Sequence, residues 1–257
     1  MKTIKLAAGF ILLTALLMTA GCYKPWHHVE GNGNVITETR SFSDFEKVYN
    51  EGNFDVYIIQ DGLFEVEIEA ESNLIPLIRT KIEGSALVID TQDDLRNNEP
   101  MKIYVHMDEV RALRMSGSGM IEAEELTTGD LDLEISGSGE LYFSGTSADV
   151  DANISGSGSM EIDLTCENME TDISGSGDIE LKGTADAGDF RISGSGSIRA
   201  YDLLLQECQA RISGSGSMYL NVADYLNVNI SGSGDVYYMG NPIIETSISG
   251  SGSVIHP

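Results

Sequence analysis

The sequence predicts an all-β fold, a parallel β-helix or solenoid of about 19 residues per turn, and three observations carry that prediction. Ser-Gly-Ser-Gly occurs eight times, starting at Ser116, Ser136, Ser155, Ser174, Ser193, Ser213, Ser231 and Ser249. The intervals between these starts stay between 18 and 20 residues. A period that constant marks one small unit stacked on itself, and it is too short for a four-stranded propeller blade of roughly 40 residues. Between the motifs apolar and polar residues alternate, which is the periodicity of strands.

The chain opens on an export signal. Lys2 and Lys5 precede an apolar run from Leu6 to Met18, and the small residues Thr19-Ala20-Gly21 lead into Cys22. The run is short for a membrane-spanning helix and suits a signal peptide over residues 1–21. A cysteine directly after Ala-Gly resembles the lipobox of bacterial lipoproteins, which implies that Cys22 is lipidated (a palmitate-bearing N-terminus) and anchors the protein to a membrane. Tyr23 follows it, with no Asp to hold the protein at the inner membrane, so the outer membrane is the expected location. Residues 22–30 then read as a linker.

Residues 31–115 carry a fainter form of the repeat. Gly31-Asn32-Gly33-Asn34-Val35 mimics the motif, and Glu51-Gly52-Asn53-Phe54-Asp55-Val56-Tyr57 aligns with Ser231–Tyr237. Strand-like alternation continues through Phe64–Ile68, Ala86–Asp90 and Met101–His106. Pro76 argues for a turn or short helix over Asn73–Arg79. This half is expected to form degenerate turns and an N-terminal cap on one domain spanning 31–257.

Residues 116–257 form the regular half. With the first Ser of each motif as position 0, position −1 is Met115 and then Ile in every later repeat. Position +5 runs Ile121, Leu141, Met160, Ile179, Ile198, Met218, Val236 and Val254. Odd positions therefore face inward and even ones outward, with the motif's glycines turned in and its serines out. A missing side chain lets the backbone bend tightly, so the motif is read as a corner. The last turn is expected to be open, which offers a surface for self-association.

The run Gly31–Val35, then Phe54-Asp55-Val56-Tyr57, then the Ser-Gly-Ser-Gly repeats resembles the putative auto-transporter adhesin, head GIN domain family over roughly residues 31–257. The resemblance implies an exported or lipid-anchored envelope protein built as a right-handed β-helix. It supplies no catalytic residues.

Composition narrows the partners. The full chain has a formal net charge of −26, and without residues 1–21 it carries 13 basic against 41 acidic residues. Nucleic acid and anionic lipid surfaces are poor partners for such a chain. Cys166 and Cys208 lie two repeats apart, roughly 9.6 Å of axial rise, beyond the reach of a disulfide.

Four acids, Asp132, Asp151, Glu170 and Asp189, occupy position −4 on consecutive turns. Stacked like charges are destabilising, so a cation such as Ca²⁺, or a nearby Arg191, is expected to offset them. No other cofactor and no Cys/His metal set is indicated. Tyr219 and Tyr237 sit outward on adjacent turns and are candidates to contact a glycan. The reading that results is a non-enzymatic adhesion or interaction scaffold for a glycan or envelope protein. A polysaccharide-active enzyme or a self-associating structural protein on the same scaffold is the alternative.

Overall fold

The computed structural model describes residues 28–257, so the signal peptide, Cys22 and His27 lie outside the described residues. The regular half is a single stack of parallel strands. It comprises β10 (Ala112–Met115), β11 (Met120–Thr127), β12 (Leu131–Gly137), β13 (Glu140–Thr146) and β14 (Asp149–Gly156), then the long strands β15 (Ser159–Gly175), β16 (Asp178–Gly194), β17 (Ser197–Gly214) and β18 (Ser217–Gly232). The stack closes with β19 (Asp235–Met239), β20 (Ile243–Gly250) and β21 (Ser253–Ile255). Each turn pairs in register with the next, so that Ile154 lies over Ile135, Ile173 over Ile154 and Ser174 over Ser155. Length differences are absorbed in corners, as at the register shift between Ala200 and Leu204.

The inner rows form one continuous core. From Ile135 to Ile230 the position −1 isoleucines are at most 2% exposed. Each contributes on the order of 1.5–3 kcal/mol by leaving water. Volumes compensate between neighbouring rows. Phe190 is fully buried, and Gly188 beside it leaves the space its ring needs, since a Cβ there would lie 3.1 Å from the ring.

The corner owes its glycines to the hydrogen-bond ladder. At each motif from the second onward the N–H of position +2 donates to the carbonyl of the +1 glycine one turn earlier, as Ser195 does to Gly175 at 2.9 Å. A Cβ on Gly194 would lie 2.2 Å from that same carbonyl oxygen, and its φ of +142° disfavours any other residue. The +3 glycines are held by the isoleucine ladder as well as by the previous turn's carbonyl: a Cβ on Gly177 would meet Ile154 Cγ2 at 2.6 Å and the Gly158 oxygen at 2.8 Å.

The N-terminal half contributes two further turns and a cap. Its strands are β1 (His28–Glu30), β2 (Val35–Ser41), β3 (Lys47–Asn50), β4 (Asp55–Gln60), β5 (Glu65–Glu71), β6 (Ile78–Glu83), β7 (Ala86–Thr91), β8 (Asp94–Arg96) and β9 (Lys102–Met107). A 3₁₀ turn at Ile75–Leu77 supplies the break around Pro76. Strands β3 and β4 lie directly beneath β10 and β11, with Val56 against Ile121 and Gly52 under Gly117. Strands β7 and β9 form the next level down, also parallel. Stacking order thus departs from chain order: residues 47–60 sit between residues 86–107 and the regular half. Asn50 takes the place of the usual isoleucine. Fully buried, it donates Nδ2 to the Phe54 carbonyl at 2.9 Å and accepts from Gly52 N–H at 3.2 Å.

One expectation fails at this end. Gly31–Val35 is not a turn of the coil. Strand β2 runs antiparallel to β5, and Val35 is 41% exposed. The two glycines instead cradle the carboxylate of Glu71, which is fully buried. Gly33 N–H donates to Glu71 Oε1 at 2.5 Å, Asn98 N–H to Oε2 at 2.8 Å, and a Cβ on Gly31 would overlap the carboxylate. Asn32 and Asn34 complete the lock through Ser72 Oγ, at 2.9 and 3.2 Å. Strands β5 and β6 then cover β9 and β7 antiparallel and close this end of the core.

Candidate functional site

Two outward faces carry the polar side chains that the sequence singles out. On the first, the row through position −4 stacks Asp132, Asp151, Glu170 and Asp189 in register, as expected from the spacing. Strand register alone brings them together, because every inward neighbour is core. Arginines on the same face lace the row. Arg114 reaches Asp132 at 2.8 Å and Glu134 at 3.1 Å. Arg191 contacts Glu170, Asp172 at 3.1 Å and Asp189 at 2.7 Å, and Arg211 holds Asp189 at 2.6 Å. Each such pair is half-exposed and worth on the order of 0–1 kcal/mol, with the shared Arg191 at the upper end as part of a network.

Asp151 is the member without an arginine. Burial raises its carboxyl above the usual range, the neighbouring Glu170 and Asp132 raise it further, and a 2.7 Å hydrogen bond from Asn153 works the other way. An open groove of about 750 Å³ runs beside the row, bordered by Lys47, Arg111, Asp130 and Asp149. Among the described residues no group of three or more His, Cys, Asp or Glu side chains is gathered to hold a metal ion. The arginines offset the charge of Asp132, Glu170 and Asp189, with Arg191 placed as expected.

The second face carries position +6, where a single row runs from Tyr104 through Tyr57 and Glu122 up to Tyr219, Tyr237 and Ile255. Tyr219 and Tyr237 stack on each other with ring centroids 5.0 Å apart and planes 7° from parallel. Tyr201 meets Tyr219 edge-on at 5.5 Å. The sequence reading missed Tyr201, which lies two residues beyond the row on its own turn, at outward position +8. Stacking turns the ring faces along the coil axis, so a ligand approaching from the side meets ring edges and hydroxyls. Lower on the face Lys182 bridges Glu161 at 2.6 Å and Glu180 at 3.0 Å. A second stacked pair, Tyr57 and Tyr104 at 5.1 Å, marks the capped end.

The motif serines face solvent at the corner between the two faces. Cys166 and Cys208 are free and buried, in different rows of the core. Burial pushes the Cys166 thiol up to about 12, with Asp149 and Asp186 adding to it. His106 pairs with Asp61 at 2.8 Å in the cap, a pairing between residues 45 apart that no motif announces.

A family model described as "Putative auto-transporter adhesin, head GIN domain" matches residues 44–242. Among solved structures, a putative lipid binding protein from Parabacteroides distasonis is 27% identical, with a TM-score of 0.82 over 90% of this chain and 100% of that one. A putative adhesin from the same species is 25% identical, with a TM-score of 0.82 over 89% of this chain and 99% of the other. A putative adhesin from Parabacteroides merdae shares the fold at 23% identity, again with a TM-score of 0.82 over 89% and 99% of the two chains. No curated protein matches.

Proposed function

The chain belongs to the putative auto-transporter adhesin, head GIN domain family, and from that premise we propose that it is a non-catalytic adhesion or interaction scaffold of the cell envelope, lipid-anchored at the outer membrane through Cys22. The observation that carries this reading is the +6 row, an unbroken outward line of side chains fixed in register by the strands beneath it. Such a surface is rigid before binding, so contact costs little ordering entropy. The adhesin names of related solved structures support the same role.

Lipidation at Cys22 gives the molecule a direction. Only five residues lie between Cys22 and His28, the first residue of β1, a reach of at most about 22 Å. The capped end then lies next to the membrane. The eight motif-bearing turns rise away from it over roughly 34 Å. That presents Tyr201, Tyr219 and Tyr237 on the distal half of the coil, where a glycan or envelope protein can reach them.

The test is binding of the labelled domain to envelope polysaccharides. Each aromatic contact contributes about 0.5–1.5 kcal/mol. The double variant Tyr219→Ala/Tyr237→Ala is therefore expected to weaken glycan binding roughly tenfold while keeping the fold. Unchanged affinity would place the binding surface elsewhere. Turnover of an oligosaccharide by the purified domain would sink the non-catalytic reading.

A further inference from the structure

We propose that the open C-terminal turn is a homodimer interface, in which β20 of one copy pairs antiparallel with β20 of a second about a two-fold axis through Thr246. This stands independently of the adhesion reading, since it uses the end of the coil rather than its sides.

The two ends of the stack are built differently. At the N-terminal end the parallel strands β7 and β9 of the main sheet have neighbours on both sides, because β6 covers β7 and β5 covers β9. The strands left at that edge are charged: β6 carries Arg79, Lys81 and Glu83, and β2 carries Glu38 and Arg40. Charge on an edge strand is a common device against pairing with another chain. At the other end, among the described residues, β20 pairs only with β18, and β21 only with β19. One row of backbone N–H and C=O groups is thereby left unpaired along eight residues. Ile248 is 43% exposed, although the isoleucine at this position is buried in each turn from Ile135 to Ile230. Ile243 is 73% exposed.

Charge identifies the occupant. Between Met239 and Pro257 lies one of the chain's 41 acidic residues, Glu245, and no Lys or Arg. Two copies of a molecule with net charge −26 repel each other through their flanks. Their C-terminal ends are where that repulsion is weakest.

The strand is also self-complementary. With Thr246 opposite its own copy, Ile244 faces Ile248 of the second molecule on the core side, and Glu245 faces Ser247 on the outer side. A register centred on Glu245 would oppose the two carboxylates, and one centred on Ser247 would set Ile248 against Thr246. Only the Thr246 register matches both isoleucines, and it joins the two cores into one. A turn of about 19 residues approaches the 20–30 residues a side of a standard interface.

The experiment is sedimentation velocity of the domain from Tyr23 onward, at roughly 1–100 µM. It is paired with cysteine cross-linking, in which the native Cys166 and Cys208 stay buried. A dimer is expected, and Ile248→Lys should raise its dissociation constant by about tenfold or more. Thr246→Cys should cross-link to itself under mild oxidation, because directly opposed antiparallel residues lie about 4.5–5.5 Å apart, within disulfide reach. Glu245→Cys and Ser247→Cys should cross-link when mixed and not singly. A monomer throughout the range, open-ended polymers, or a dimer in which Thr246→Cys fails to cross-link would each overturn the proposal. The cysteine variants decide the matter if Ile248→Lys does not fold. Glycan binding by a strictly monomeric domain would sink this inference and leave the scaffold reading intact.

Discussion

Gly194 shows how much one position in the corner is asked to do. It must hold φ at +142°, and it must leave room for the Gly175 carbonyl, which accepts the Ser195 N–H. Gly194→Ala violates both demands, and strain and overpacking together are expected to cost about 2–4 kcal/mol in chemical denaturation. Ser195 is different: its side chain faces water and its structural contribution is the backbone N–H. Ser195→Ala should stay within about 0.5 kcal/mol of the parent. Equal losses in the two variants would mean that the serine hydroxyls, and not the glycines, hold the corner. Asn50 meets a related demand by other means, spending a buried amide where the upper turns use isoleucine: within its own corner it accepts the Gly52 N–H and donates to the Phe54 carbonyl.

The element with the most specific chemistry is the cap. Glu71 ties the Gly31–Asn34 loop to the end of β5 and to Asn98, three segments far apart in sequence. Burial alone would raise its carboxyl. The N–H groups of Gly33 and Asn98, the Asn98 amide and the Glu99 N–H outweigh burial and hold it below the ordinary 4.5. A folded value below the unfolded one stabilises the protein above about pH 4.5, and that stability is lost as pH falls through the folded value. Glu71→Gln is therefore expected to lower the melting temperature at pH 7 and to flatten its fall as pH drops below about 4.5. Parallel curves for the two proteins across that range would show that the lock contributes nothing through its charge. The arginine-laced acidic row is the contrasting element. It is exposed, shared among several partners, and offsets its own repulsion without contributing much net stability.

At the scale of the whole molecule, an acidic outer surface, one closed end and one open end define how the protein meets its surroundings. If Cys22 carries the lipid, Cys22→Ser should move the exported protein from the membrane fraction to the soluble fraction without changing its melting temperature. Retention of the variant in the membrane fraction would mean that something else anchors it. With the anchor at the closed end, pairing through the open end would join two molecules end to end and double the length of side surface on offer. The high negative charge favours that arrangement over side-by-side packing.

The coil, its period and its polarity are all written in the order of the amino acids. Eight motifs at near-constant spacing leave stacking as the only way to bury the isoleucine row, and strand alternation then fixes which face each residue takes. The acidic row and the Tyr219–Tyr237 adjacency were legible for that reason, since register converts sequence spacing into spatial neighbours. Whatever depends on contacts outside the repeat was settled only in the folded chain. Gly31–Asn34 looks like a motif in sequence, yet the carboxylate of Glu71 makes it a binding loop, and periodicity carries no information about a partner some forty residues away. The insertion of residues 47–60 between two later segments was hidden for the same reason. Arg191 was expected beside the acidic row, whereas the parts played by Arg114 and Arg211 depend on where long side chains reach across turns. Periodic burial is a local rule that a sequence can spell out, whereas caps and ends are settled by which distant groups must satisfy one another's hydrogen bonds and charges.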